Sequence, residues 1–162
     1  MHELLPVAQT VGARLKERGE TIAIAESSAG GLIAASLLSV AGASAYFAGG
    51  AVVYTKAART GLLGITDADM TGLRPSTEQY ALLLASRARA RHGTTWGLGE
   101  TGATGPTGNR YGDAAGHCCI AITGPRDFAL TIETASPDRV ENMRAFCLRA
   151  MAALAFVLDE ME

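Results

Sequence analysis

Thr21-Ile22-Ala23-Ile24-Ala25-Glu26-Ser27-Ser28-Ala29-Gly30-Gly31-Leu32-Ile33-Ala34-Ala35-Ser36-Leu37-Leu38 is the stretch that decides the fold. Its first part is short, apolar and unbroken, the pattern of a strand buried on both faces beneath covering helices. Its last part, from Leu32, reads as a helix. Hydroxyls and glycines lie between. The N–H groups of Ala29, Gly30 and Gly31 would have no intrahelical partner. They would point at whatever sits over the helix end, where the helix dipole favours a negative group. Ser27 or Ser28 would stand at the rim. The same residues also suit a structural role, because serine is a preferred N-cap and glycine lets a helix pack closely on a strand.

Working outward, Leu4, Ala8, Val11 and Leu15 recur at helical spacing before the stretch, and Gly19 stops that helix. After it, Tyr46 to Tyr54 predicts a second strand in which Gly49 and Gly50 mark a bulge or a close backbone approach. Lys56 to Leu63 predicts a short helix. Ser76-Thr77-Glu78-Gln79 fits a capping box with serine at the cap, opening a helix that runs through Arg91. Thr95 to Glu100 predicts a third strand and Thr101 to Tyr111 a glycine-rich loop. Gly116 to Thr123 and Phe128 to Thr134 predict an antiparallel hairpin joined at Gly124-Pro125-Arg126-Asp127. Ser136-Pro137 opens a last helix with Val140, Met143, Cys147, Ala150, Met151, Leu154 and Val157 in register. This order predicts α/β layers around a mixed sheet, with residues 1–162 forming one domain.

The totals narrow the function. A chain of 162 residues can bury a core without staples, and at 48% apolar and 19% charged it reads as globular. A net charge of -2 gives no electrostatic footprint for nucleic acid. Of the three cysteines, Cys118 and Cys119 are adjacent and Cys147 is distant, which is neither a disulfide framework nor zinc spacing. No metal and no cofactor are expected. An odd thiol count, no basic-then-apolar start and no membrane-length apolar run predict a cytoplasmic protein that meets no membrane.

Three glycine-bearing turns follow three strands, at Ser27 to Gly31, Tyr54 to Arg59 and Thr101 to Gly108. Ligands of open α/β sheets bind outside the carboxyl ends of strands, so all three turns can meet in one crevice. Familiar signatures fail. Gly97-Leu98-Gly99-Glu100-Thr101-Gly102 spells GxGxxG but lies in a strand and does not open a helix. Gly102 to Asn109 contains no lysine, so it is no P-loop, and no G-x-S-x-G occurs. His117 and Cys118 fall in a strand pattern and read as core or sheet-face residues, and Trp96 and Tyr46 as core.

Ala25-Glu26-Ser27-Ser28-Ala29-Gly30-Gly31 resembles the A-E-S-C-T-G-G stretch of the CinA C-terminal domain family of competence/damage-inducible proteins. Gly42 to Tyr54 is similar to its G-S-S-x-Y-F-x-G-G-x-V-x-Y, and Thr101-Gly102-Ala103-Thr104-Gly105-Pro106 to its T-G-I-A-G-P. The resemblance covers nearly the whole chain. It implies a three-layer α/β/α sandwich with a mixed, mostly parallel central sheet, and no metal. Longer members carry an extra N-terminal domain, for which this chain has no room. The resemblance further implies a nicotinamide-nucleotide amidase, which hydrolyses nicotinamide mononucleotide to nicotinic acid mononucleotide and ammonia. Its partner would be that small-molecule nucleotide, and the protein would be a homo-oligomer.

Matched by motif, the serine nucleophile falls on Ser27, with Tyr54, Thr101 and Arg139 nearby. Glu26, Ser28, Ala29, Gly30, Gly31, Gly49, Gly102 and Gly105 would contact substrate. Serine is a weak nucleophile that needs a base in reach, and N–H groups at the helix opening could hold the oxyanion. Arg139 could pair with a phosphate or with a surface carboxylate.

The chain departs from the family at the base. The family lysine lies five residues after the motif tyrosine, where this sequence has Arg59, which stays protonated. Lys16 is remote, so Lys56, three residues before Arg59, is expected to take over, its amine made neutral by the adjacent guanidinium. Lys56 equally fits a solvated surface position. Ala29 replaces a threonine, Ser28 a cysteine, Ala114-Ala115-Gly116 a P-V-G, and Asn109-Arg110-Tyr111 stands where glycines continue. The readings are an amidase, a nucleotide-binding or regulatory protein without a working base, and an oligomeric scaffold without a ligand.

Overall fold

The computed structural model describes residues 1–160. Among the described residues there are five α-helices, α1 (Leu5–Arg18), α2 (Leu32–Leu38), α3 (Lys56–Leu63), α4 (Glu78–His92) and α5 (Arg139–Asp159), and five strands. The strands are β1 (Ile22–Glu26), β2 (Phe47–Val52), β3 (Trp96–Ala103), β4 (His117–Thr123) and β5 (Phe128–Glu133). They form one sheet in the order β2-β1-β3-β4-β5. β2, β1 and β3 are parallel, β4 runs against β3, and β5 runs against β4. Only β4 therefore opposes the common direction, and the sheet is mixed but mostly parallel. Helices α1, α2 and α5 pack together on one face, and α4 lies across the other with α3 beside it. The result is the expected α/β/α sandwich.

Burial on both faces explains the unbroken apolar strands. Ile22, Ile24, Trp96, Leu98, Ile120 and Ile122 turn towards α1, α2 and α5. Ala23 and Ala25 turn the other way, with Leu84 and Ala88 of α4. The small residues on that side have a reason. A Cβ on Gly97 or Gly99 would come within 2.1 Å of a backbone carbonyl of α4, at Ala85 and Ala81 respectively. The apparent GxGxxG is thus a contact strip for a helix lying directly on β3.

Several boundaries differ from the sequence expectation. β3 continues through Ala103, so Thr101 and Gly102 end a strand and do not begin a loop. The cap of α4 is Thr77, whose hydroxyl accepts the Tyr80 N–H, while Ser76 takes a left-handed φ of 60° one residue earlier. The cap of α5 is Asp138, not Ser136. Thr77, one position inside the first pattern, and Asp138, two positions inside the second, outcompete the serines because their oxygens meet the third N–H group of each helix. Val140 is exposed and does not join the apolar stripe of α5. The expected bulge is present where the β1–β2 register slips between Ile22/Phe47 and Ala23/Gly49. Trp96 and Tyr46 are fully buried, as expected.

Candidate active site

In the parallel order β2-β1-β3 the chain runs outward from β1 to β2, then crosses back past β1 to β3. α2 carries it to β2 over one face, and α4 carries it to β3 over the other. Such a switch point opens a crevice beyond the strand ends. Here the crevice is a cleft of about 580 Å³ on the α3/α4 side, reached by Ser27, Tyr54, Lys56, Arg59, Thr101 and Gly102. The three turns therefore meet, and all five expected catalytic residues line one space. Met70, Leu73, Pro75, Ser76, Tyr80 and the segment Asn109 to Tyr111 complete it.

Glu26 and Glu100 explain how the serine motif is held. They are register partners in β1 and β3, and both are fully buried. Their side chains turn to the α2 side, away from the cleft. Glu26 accepts the N–H groups of Ile33 at 3.1 Å and Ala34 at 2.9 Å, capping α2 with a carboxylate from inside the protein. Glu100 accepts the N–H groups of Ser27 at 3.0 Å and Ala29 at 2.9 Å, and the hydroxyl of Ser28. Burial pushes the Glu26 carboxyl up to about 7 against the lowering pull of the Ala34 and Ile33 N–H groups, and the neighbouring Glu100 adds to the rise. Burial likewise raises Glu100, against its bonds to Ser28, Ala29 and Ser27.

This arrangement corrects the expectation for the helix opening. The Ala29 N–H is taken by Glu100, and the Gly30 N–H donates to the Ser27 carbonyl at 3.2 Å. Gly31, at a φ of 103°, is the turn into α2. These amides hold the chain and do not await an oxyanion. Ser28 and Ala29 are buried, so they are structural as well. Ser27 is the residue left at the rim, and among the described residues its hydroxyl has no hydrogen-bond partner while that of Ser28 is engaged.

The other expected contacts divide. Thr101 lines the cleft and its hydroxyl accepts the Ser76 N–H at 3.2 Å. Tyr54 is 62% exposed. Arg139, at the start of α5, lies outside the lining. It donates to the Gly105 carbonyl at 2.7 Å and to the Tyr54 hydroxyl at 3.4 Å, so it braces a loop and the tyrosine. Gly105 is likewise a brace for Arg139. Gly49 lies away from the cleft, where a Cβ would strike the His92 ring of α4.

Lys56 does not stand free beside Arg59. Its ammonium donates to Asp67 at 2.7 Å, and that bond is the main cause of the lowered Asp67 carboxyl. Both groups are largely exposed. The expected neutral amine beside a guanidinium is therefore replaced by an ion pair on the cleft rim. Arg59 is the buried member, only 8% exposed, with its guanidinium 3.9 Å from Asp67 and 6.0 Å from the centre of the Tyr80 ring.

Sequence reasoning missed Glu100, Tyr80 and Asp67. The signal for Glu100 was available: it ends an apolar strand just as Glu26 does. It also missed the clamp behind the cleft. His117 binds Glu133 through Nδ1 and the Ser76 carbonyl through Nε2 at 2.9 Å, and Arg74 holds Asp113 at 2.7 Å. Glu133 and the Ser76 carbonyl are both acceptors and favour the protonated ring, and Cys119 Sγ lies 3.5 Å from Nε2. Burial pulls the ring's pKa down, but the bonds to Glu133 and Ser76 and the charges of Glu133 and Asp113 outweigh it, and the net shift is upward.

Cys118, Cys119 and Cys147 are buried thiols. Among the described residues no cluster of His, Cys, Asp or Glu is placed to hold a metal ion, and no helix is long and apolar enough to cross a membrane.

A family model described as the CinA C-terminal domain matches residues 4–158. A CinA-like protein of a Nostoc species is 37% identical over 121 residues, which are 75% of this chain and 28% of that protein. A CinA-like protein of Anaeromyxobacter dehalogenans is 36% identical over 148 residues, 91% of this chain and 36% of its own length. The chain thus spans about a third of the length of these relatives. The competence damage-inducible protein A of Klebsiella pneumoniae superposes with a TM-score of 0.91 at 23% identity, over 98% of this chain and 99% of that one. The competence/damage inducible protein of Agrobacterium tumefaciens does so at 0.85 and 27%, over 96% and 95%. By its sequence over almost its whole length, and with a fold to match, the chain belongs to the CinA C-terminal domain family.

Proposed function

We propose that the cleft binds a pyridine mononucleotide and hydrolyses its ring carboxamide. Ser27 Oγ attacks the carboxamide carbon, ammonia leaves, and water then cleaves the resulting ester to give the carboxylate and free Ser27. Overall, carboxamide and water become carboxylate and ammonium. The observation that carries this reading is the convergence of an unengaged Ser27 hydroxyl with Tyr54, Lys56 and Thr101 on one 580 Å³ space. The apolar floor of buried Val53 and Tyr80 with half-buried Leu73 suits a flat ring, and the exposed Lys56 and Arg110 at the rim suit a phosphate. Lys56 is the amine in the cleft that can take the Ser27 proton, and to do so it leaves Asp67, which an exposed ion pair allows.

A second reading has its own support. Arg59 stands where the family lysine would, and the remaining amine, that of Lys56, is tied to Asp67 at 2.7 Å. On that reading the cleft binds the nucleotide and does not turn it over. Ammonia release from nicotinamide mononucleotide, measured for wild type and Ser27→Ala, separates the two. Release that vanishes in the variant supports the amidase. No release from either protein, with saturable binding by calorimetry, supports the binding protein. A homo-oligomer remains part of the proposal, and sedimentation of the purified chain tests it.

A further inference from the structure

Arg59 is a buried cation without enough partners. Its side chain is 10% exposed, and its Nε has no hydrogen-bond partner among the described residues. Its nearest carboxylate, Asp67, is 3.9 Å away, beyond a hydrogen bond, exposed, and already bonded to Lys56 at 2.7 Å. A guanidinium taken out of water is costly unless its donors are met. Leaving it poorly met in the wall of an open cleft is the mark of a site that an anion completes. The planar fork of donors suits a carboxylate, whose two oxygens it can bind side by side.

The position of Arg59 says which anion. The cleft has two kinds of cation. Lys56 and Arg110 are at the exposed rim, where a phosphate can stay hydrated. Arg59 belongs to the buried wall, with Tyr80 and Val53 beside it. Tyr80 carries the imprint of that neighbour. Burial raises its phenol, and a hydrogen bond from Arg59 together with the guanidinium charge pulls it back, so Tyr80 meets part of the guanidinium and leaves Nε unmet. A flat ring lying on this wall would present its substituent, not its phosphate, to Arg59.

We infer that Arg59 makes this cleft selective for the acid form of the pyridine nucleotide, binding a ring carboxylate in preference to a ring carboxamide. This rests on the pyridine-nucleotide reading of the site and holds whether or not Ser27 turns the amide over. A carboxamide offers one acceptor and brings two N–H donors that a guanidinium cannot accept. A carboxylate offers acceptors on both sides and the opposite charge.

The test is calorimetric titration of wild type with nicotinic acid mononucleotide and with nicotinamide mononucleotide, repeated in Ser27→Ala so that hydrolysis of the amide cannot supply the acid. The two carry the same phosphate, so its contribution cancels. Expected is acid binding tighter than amide binding by roughly tenfold or more, the scale of a charge-assisted bond over a neutral one. Arg59→Gln removes the preference by weakening the acid and sparing the amide, and Arg59→Lys keeps the charge and part of the preference. Equal wild-type affinities overturn the inference, as does an Arg59→Gln variant that weakens both ligands alike, which would place Arg59 on the phosphate. If neither nucleotide binds wild type, the pyridine-nucleotide reading falls and the inference with it. The wild-type comparison stands even if a variant fails to fold.

Discussion

Glu26 and Glu100 lie directly opposite each other across β1 and β3, both without solvent contact, and they share out the N–H groups of the turn between β1 and α2. The two buried carboxyl groups are the internal acceptors that the helix opening needs. The most recognisable motif of the chain is therefore a scaffold that leaves one hydroxyl, that of Ser27, unengaged at the cleft rim.

Glu100→Ala leaves the Ala29 N–H and the Ser28 hydroxyl buried without a partner. Each of the two orphaned groups costs about 1–3 kcal/mol, so the expected loss is about 2–6 kcal/mol. Urea denaturation measures it. An unchanged midpoint would mean that water or another side chain satisfies these groups.

Stability should fall as pH rises from about 5 to 8. For Glu26, the folded pKa of about 7 lies above the ordinary 4.5, so the native state holds the proton that the unfolded state loses. Its contribution is complete below 4.5 and is lost on the way to 7. His117 is also raised, from 6.5, so its contribution is complete below 6.5 and fades above. Glu26→Gln should flatten the lower part of the profile and His117→Gln the upper part. Chemical denaturation at intervals of pH reads both, and a wild-type profile that climbs between 5 and 8 would contradict the assignment.

Gly99→Ala brings a methyl against the Ala81 carbonyl of α4. The expected loss is about 1–3 kcal/mol, as for other insertions into a packed interior. Since β3 carries Thr101 to the cleft, binding of nucleotide should weaken as well. Thermal melting and titration check the two effects separately. A variant as stable as wild type would show that α4 can lift off the strand.

Ser27→Ala should lower ammonia release by roughly a thousandfold or more, the usual consequence of deleting a nucleophile. Lys56→Ala should cost roughly a hundredfold if Lys56 is the base, within the range of general acid–base catalysis. Asp67→Asn releases Lys56 from its ion pair. That variant should raise the rate at neutral pH. A rate unaffected by both Lys56→Ala and Asp67→Asn would remove Lys56 from the chemistry.

The strands and helices were legible because burial on two faces leaves an unbroken apolar signature, as in Ile22 to Ala25 and Trp96 to Leu98. The meeting of the three turns was legible because strand ends in a parallel sheet face one edge. The role of Glu26 was not. A strand alternates its faces, so Glu26 and Glu100 point to the α2 side while Thr101, one residue on, points to the cleft. Deciding which face holds ligand requires the crossover of α4, which no local pattern encodes. The Lys56–Asp67 bond was equally hidden, since it links the first residue of α3 to a residue in an irregular segment beyond it. Arg59 could be placed by motif, but its burial depends on Tyr80, which comes from another helix.

The segment between β3 and β4 leaves the sheet at Ala103 and rejoins it at His117, and these two residues are paired across the strands. A loop whose feet are adjacent can be exchanged for another of different length or composition while the sheet keeps its register, because the entropy of closing a loop changes slowly with its size. Asn109, Arg110 and Tyr111 sit on that loop and face the cleft. The rim of the site is thus an interchangeable cassette mounted on a fixed frame. The braces at Thr104, Gly105 and Asp113 set its limits, and exchanging residues 107–112 between them is a direct way to alter the rim while the frame stays intact.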